Sequence, residues 1–311
     1  MTQEPDLIRL SNPLLRYWLA TRPAFLAASL IPVLIGVAAV VHQGGKVSFL
    51  LLLLTLLATA LVHGGVNVLN DYYDDANGTD GCNTQRVFPF TGGSRFIQNG
   101  VLSAGEMLVF GALLLTVAIL LGIALVWISS PDLLWIGVAG LLLGWGYSAP
   151  PLRLNSRGLG EPAVALGFGI LTPLGAWLVQ TGEVAMYPVL ISVPAALLVM
   201  NILFINQFPD READAASGKH HWVVRLGVGQ APLVYLVSVA LAASIVLLLV
   251  STALLPLWSL LSLLPLVLAF KAGLSLRAHA AEPALLEPAI KMTIASMILH
   301  GLLLSLTLWL V

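Results

Sequence analysis

A series of long apolar segments, each bounded by polar loops, decides what this chain can fold into. A membrane-spanning helix needs about 20 predominantly apolar residues. Segments of that kind recur at 24–41, 47–69, 105–128, 133–149, 160–180, 184–206, 230–251, 253–271 and 293–311. The weakest break lies between the seventh and the eighth, a chargeless stretch around Ser251–Pro256. Composition agrees: 59% of the 311 residues are hydrophobic and 9% are charged, against about 25% charged in a soluble domain. No single aqueous core hides that much apolar surface. The expected fold is all-α: a polytopic membrane protein of about nine transmembrane helices, one domain over 1–311.

The loops divide by charge. With that number of spans, one side receives the N-terminus and the segments 70–104, 150–159, 207–229 and 272–292. That side holds all of the 14 Lys and Arg residues except Lys46, with Lys271 at the boundary. Cationic loops mark the cytoplasmic side, so the N-terminus is expected inside and the C-terminus outside. The residues before Pro23 are charged (Glu4, Asp6, Arg9, Arg16, Arg22) and contain no apolar stretch, so no cleavable signal peptide is expected. A net charge of −1 offers nothing to a nucleic acid, and a lone cysteine, Cys82, allows no intrachain disulfide.

Against this background the stretch NVLNDYYDDANGTD, 67–80, is out of place. It puts Asp71, Asp74, Asp75 and Asp80 at the end of a greasy segment. At 100° per residue, His63, Asn67, Asn70, Asp71, Asp74 and Asp75 fall within an arc of roughly 140°, so they are expected to face one cavity. Gly78 is expected to end the helix and leave Asp80 on the loop. A second cluster, NQFPDREADAASGKHHWVVRLG, closes the sixth segment. Asn206, Asp210 and Asp214 are spaced i, i+4, i+8, an arc of about 80°, with Pro209 as a candidate kink. Basic residues stand behind both clusters: Arg86 and Arg95 behind the first, Lys219 and Arg225 behind the second.

Carboxylates packed this densely repel one another unless cations hold them, and removing one is expected to relieve the strain. All-oxygen ligand sets suit Mg²⁺, which binds through a few carboxylates together with substrate phosphates. Lys and Arg would take the remaining phosphate oxygens. A diphosphate at the mouth of an apolar cavity points to a lipid diphosphate. Ionising its allylic C–O bond needs the leaving group neutralised, and the carbocation needs a dry, π-rich pocket. Tyr72, Tyr73, Tyr147, Trp145 and Phe208 are candidates for its walls.

With both clusters placed, the chain resembles the UbiA superfamily of intramembrane aromatic prenyltransferases, which have nine transmembrane helices and two Asp-rich motifs. TRPAFLAASLIPVLIG resembles the family's first helix, with the Arg-Pro pair at Arg22-Pro23. YSAPPLRLNSRGLGEPAVALGFG resembles its fourth loop and fifth helix. Asn70, Tyr72, Asp74, Gly78 and Asp80 are most similar to the motif of the 1,4-dihydroxy-2-naphthoate (MenA-type) branch. The resemblance implies that Asn70, Asp71, Asp74, Asp80, Asn206, Asp210 and Asp214 bind Mg²⁺, with Mn²⁺ as a substitute. It implies that Arg22, Asn67, Asn70, Arg86, Arg95, Arg153, Asn206, Lys219 and Arg225 bind substrate or diphosphate. It also implies that Asp71, Asp74, Asp210, Asp214 and Tyr147 act at the reacting centre. The implied partners are a polyprenyl diphosphate, an aromatic acid acceptor and the lipid bilayer, and the implied location is a bacterial inner membrane. The sequence departs from the family's pattern at Gln207, at KHHW (219–222) and at the Gly-rich stretch 88–100. That last stretch reads as a flexible lid at least as well as a phosphate-cradling loop.

Two other function classes are weaker. A transporter would place charges near the midplane in inverted repeats, whereas both clusters fall on one side. A phosphatidyltransferase would carry a D-G-x-x-A-R motif, which is absent. Within prenyl transfer, 4-hydroxybenzoate is the alternative acceptor. His63 and His300 lie inside apolar segments, where ionisable groups are functional candidates; His63 shares the acid face, and His300 reads as an interhelical hydrogen-bond partner. Arg153 and Arg157 read as topology determinants, and Glu161 as the cap of its own helix.

Overall fold

The structure, a computed structural model, describes residues 3–310. Among these residues every regular element is helical. In chain order the α-helices are α1 (Pro13–Ala20), α2 (Ala27–His42), α3 (Phe49–Ala76), α4 (Thr79–Cys82), α5 (Ala104–Ile128), α6 (Leu133–Ser148), α7 (Gly160–Leu166), α8 (Thr172–Thr181), α9 (Tyr187–Ala216), α10 (Trp222–Ser251), α11 (Leu266–His279) and α12 (Glu287–Trp309). Short connectors join some of them into longer rods. A turn at Pro23–Phe25 leads into α2, a π-helical turn at Gly167–Leu171 splices α7 to α8, and a 3₁₀ stretch at Leu257–Leu263 precedes α11.

Counted as rods, 8 helices are long and apolar enough to cross a membrane, and α6 is a shorter apolar helix of 16 residues. Together they correspond to the nine expected segments, and the chain is an integral membrane protein by its helices. Val311, the end of the last expected segment, lies outside the described residues.

Local chemistry sets the ends. Ser48 caps α3 by accepting from the Leu51 amide, and Ser103 forms a reciprocal capping box with Glu106 on α5. Gly78 adopts φ 83° and stops α3 where the sequence suggested. Asp80, expected on a loop, sits instead in the single turn of α4. Pro209 does not interrupt α9, which runs through it for 30 residues. The break in α10 comes at Gly227 (φ 69°), which separates its first turn from the long apolar part.

The most buried rod is α9. It packs against α10, α12, α7 and the π-turn, and its Phe204, Ile205 and Phe208 are buried with Tyr235 and Leu276 in the main apolar core. On the far side α3 and α5 pack along each other, whereas α5 touches α6 only lightly. The outer faces stay apolar: Leu50, Val109, Leu120, Leu257 and Leu264 are all exposed, as lipid contact requires. Trp127, Trp135, Trp258 and Trp309, all exposed, gather at the end of the bundle away from the acid clusters, forming an aromatic girdle.

Candidate active site

The C-terminal ends of α3 and α9 meet over one cavity of about 560 Å³. Its polar mouth is lined by Asn67, Asn70, Asp74 and Asp80 from the first cluster, and by Asn206, Asp210, Asp214 and Lys219 from the second. Below the mouth the walls turn apolar, down past Val62 on α3, Ile123 on α5 and Leu141 on α6.

Lys219 joins the clusters. Its Nζ lies 2.9 Å from Asp74 and 3.1 Å from Asp214, with all three side chains nearly buried. Burial alone would depress the lysine's pKa, but the two carboxylates outweigh it and hold the ammonium charged well above its usual range. Asp74 also accepts from Asn70 (3.2 Å) and Asn77 (3.4 Å). Asp214 is held from the other side by His221. That imidazole caps α10 by accepting the Val224 amide at Nδ1, so Nε2 carries the proton and donates to Asp214 at 3.0 Å.

The stretch 88–100 folds over both clusters as an ordered cover. The Gly92 amide donates to Asp210 (3.1 Å), the Ser94 amide donates to both oxygens of Asp71 (3.2 Å each), and Gln98 donates to Asp75 (3.0 Å). Asn83 adds a 2.6 Å bond to Asp210. Gly93 lies so close to Asp80 that a Cβ there would stand 2.4 Å from its Oδ2. This oxygen is buried without a hydrogen-bond partner among the described residues, as are Asn206 Oδ1 and Gln207 Oε1. Burial, reinforced by Asp74 and Asp71, pushes the Asp80 carboxyl up to about 8.

Several expected placements are corrected. Asp71 does not line the cavity, because its carboxylate turns to the Ser94 amide on the covering loop. Arg86 pairs with Glu4 at 2.6 Å, and Arg95 donates to the Asp80 carbonyl, so neither reaches the cavity. Arg153 and Arg225 are exposed outside it, Arg225 donating to the Arg157 carbonyl at 2.6 Å. Arg22 does line the cavity, donating to the Phe90 carbonyl (3.1 Å) and lying 4.8 Å over the Phe25 ring. Of the five expected aromatic walls only Tyr147 faces the cavity; Phe208 is buried in the core and Trp145 is exposed. Glu161 caps α10 rather than its own helix, accepting the Trp222 amide at 2.8 Å. Sequence reasoning missed Asn83, Ser94 and His221. The departure at KHHW was the visible signal for His221.

The donors fit a hard cation that keeps water. Among the described residues no three His, Cys, Asp or Glu side chains close into a ready-made metal cage, since Lys219 stands between Asp74 and Asp214. Mg²⁺ needs no such cage, binding through one or two carboxylates and substrate oxygens. Asp80 and Asn206 both line this space, and each has a buried side-chain oxygen without a hydrogen-bond partner among the described residues.

Residues 29–297 match the UbiA prenyltransferase family. A 1,4-dihydroxy-2-naphthoate octaprenyltransferase of Bacillus subtilis is 30% identical over 210 residues, 68% of this chain and 65% of that protein. UbiA prenyltransferase domain-containing protein 1 of Xenopus tropicalis is 32% identical over 205 residues, 65% of this chain and 57% of that protein. The chain thus covers under two thirds of these relatives' own length. A Haemophilus influenzae protein named 1,4-dihydroxy-2-naphthoate octaprenyltransferase is 28% identical, with 75% and 76% of the two chains covered. In three dimensions, a UbiA homolog from Archaeoglobus fulgidus bound to DMAPP and Mg²⁺ superposes with a TM-score of 0.63 at 18% identity, covering 93% of this chain and 98% of that one. That likeness speaks for the fold, and the match over 29–297 shows that the chain belongs to the UbiA prenyltransferase family.

Proposed function

We propose that the protein transfers a polyprenyl group from a polyprenyl diphosphate to 1,4-dihydroxy-2-naphthoate, in the biosynthesis of the membrane quinone menaquinone. The observation that carries this reading is the pairing of two oxygen-rich clusters, bridged by the buried Lys219, at the polar mouth of an otherwise apolar cavity. A diphosphate fits the mouth and an isoprenoid tail fits the walls. The DMAPP and Mg²⁺ bound to the Archaeoglobus homolog support the donor class. The names of the Bacillus and Haemophilus relatives support the naphthoate acceptor over 4-hydroxybenzoate.

Asp74, Asp80, Asp210 and Asp214, with Asn70 and Asn206, would hold Mg²⁺, or Mn²⁺ in its place. Bound there, it would supply positive charge against a departing diphosphate. Lys219 and Arg22 supply fixed positive charge to the same group. The cover over 88–100 keeps water out, and Tyr147 offers its ring to the developing allylic cation. Asp71 serves by holding the cover. The proposed setting is a bacterial inner membrane with the clusters on the cytoplasmic side, which the cationic loops favour.

The test is direct: purified protein, Mg²⁺, a radiolabelled polyprenyl diphosphate and a panel of aromatic acids. Prenylated, decarboxylated naphthoate is the expected product, and none should form in EDTA. Full turnover in chelator, or labelled product only with a non-aromatic acceptor, would sink the reading.

A further inference from the structure

One ionisable side chain on the cavity wall has no part in the site described so far. His63 lies on α3 on the same face as Asn67, Asn70 and Asp74 (i, i+4, i+7, i+11) and lines the cavity below the polar mouth. Eleven residues of helix put it about 16 Å from Asp74 along the axis. That leaves room for a diphosphate above and an aromatic acceptor below.

Its ring is fixed by two contacts. Nδ1 lies 2.9 Å from Ser29 Oγ on α2, and the ring packs tilted, at 49° and 4.7 Å between centroids, against Phe168, carried by the π-helical turn Gly167–Leu171. The Ser29 hydroxyl also lies 2.9 Å from the Leu26 carbonyl. A carbonyl only accepts, and a serine hydroxyl has one hydrogen. Both contacts are therefore hydrogen bonds only if Ser29 donates to Leu26 and accepts Nδ1–H from His63. In that tautomer Nε2 keeps its lone pair. Among the described residues only Nδ1 is engaged, so Nε2 is left for whatever occupies the cavity. A histidine serving only to tie α2 to α3 would need the Ser29 bond but no place on the cavity wall.

We propose that His63 is the general base for the acceptor: Nε2 takes the proton of a ring hydroxyl as the prenyl carbon is attacked. The inference rests on the prenyl-transfer reading above. In the step, the hydroxyl's O–H bond pair moves into the ring and the proton moves to Nε2. The ring carbon bearing the carboxylate forms a C–C bond to the prenyl C1. The C1–O bond breaks, and its pair leaves on the diphosphate. Carbon dioxide then departs, the electrons of its C–C bond return through the ring to the oxygen, and the imidazolium gives the proton back. Proton count and charge on His63 are restored at each turnover.

The experiment uses the protein with Mg²⁺, geranyl diphosphate and three acceptors, 1,4-dihydroxy-2-naphthoate and its two mono-O-methyl ethers. With the wild type, methylating the hydroxyl that His63 serves should lower kcat about 10²-fold, the usual scale of general-base catalysis. His63→Gln, which keeps a hydrogen-bonding side chain and loses the base, should lower kcat with the free hydroxyl by a similar factor while leaving the KM for geranyl diphosphate within a few fold. With the methyl ether the variant should match the wild type, and added imidazole should restore His63→Ala in part. Equal wild-type turnover of the free and every methylated acceptor overturns the proposal without any variant. So does a His63→Gln enzyme that keeps its kcat, or one that loses both acceptors equally without imidazole rescue. Absence of transfer by the wild type to any aromatic acceptor is a separate result: it removes the prenyl-transfer reading itself.

Discussion

At the residue scale, the two clusters differ in how each carboxylate is satisfied, and this separates the effects of substitutions that look alike in the sequence. Asp74 forms a buried ion pair with Lys219, whereas Asp210 accepts two uncharged N–H donors, Asn83 and Gly92. Asp74→Asn and Asp210→Asn should each lower prenyl transfer by about 10²–10³, the range for groups that stabilise developing charge. Asp132→Asn, at the opposite end of the bundle, is the control and should be nearly silent in the same assay. Stability should split the pair. From the sequence, removing either carboxylate relieves repulsion. In the structure Asp74→Asn takes one of two counterions from a buried ammonium and should cost about 1–3 kcal/mol, while Asp210→Asn should cost less. Equal thermal shifts for the two metal-free variants would contradict this assignment of Lys219. Asp80 adds a pH dependence. Its carboxyl is raised from 3.8 to about 8, chiefly by burial, so the folded state holds a proton that the unfolded chain has already released. The stability this contributes is complete below pH about 4 and is lost as pH rises to about 8. Melting of the metal-free protein should therefore fall in temperature across that window, and Asp80→Asn should flatten the slope.

At the scale of elements, the long apolar helices were legible because burial in lipid imposes length and composition on each one separately. Gly78 was legible as a stop because only a residue free of a Cβ takes φ 83° without cost. The remaining features depend on partners distant in sequence. Nothing local in 88–100 says that its amides will meet Asp71 and Asp210, and nothing local in Glu161 says that the amide it caps belongs to α10. The basic residues show the same limit. Lys219 and Arg86 look equivalent behind their clusters, but Glu4 claims Arg86 across 82 residues, while Lys219 stays between Asp74 and Asp214. The apolar lower cavity is also an element-scale property. Gly137, Gly140 and Gly144 lie along one face of α6 and line it, and a Cβ at Gly137 or Gly140, or at Gly122 on α5, would meet only open space. Gly140→Phe should fill that space. Turnover of long polyprenyl diphosphates should drop by an order of magnitude or more, while that of geranyl diphosphate should change little. A variant that loses both donors equally would place the tail elsewhere.

For the whole molecule, sidedness decides whether the two clusters see a water-soluble acceptor from the cytoplasm. Every cation except Lys46 belongs to the end of the bundle that carries the acid clusters, and loops retained in the cytoplasm during insertion carry the excess of Lys and Arg. Exposed tryptophans stand at both ends, Trp127, Trp135, Trp258 and Trp309 at one and Trp18 and Trp145 at the other, so they mark the two interfaces and leave sidedness to the cations. The short α6 is the weak point in the count. If it failed to cross, every later span would invert, and Asp214 would face the opposite side from Asp80. That outcome conflicts with Lys219 lying within 3.1 Å of both Asp74 and Asp214, since side chains on opposite faces of a membrane cannot share one ammonium. Reporter fusions after Asp80 and after Asp214 in a bacterial host should therefore both read cytoplasmic, and a fusion after Leu310 should read external. The fusion after Asp214 is the one that reports whether α6 crosses; a fusion after Asp132, ahead of α6, should read external as well and checks that α5 does. A cytoplasmic reading there, or opposite readings at Asp80 and Asp214, would break the nine-span arrangement on which the shared site depends.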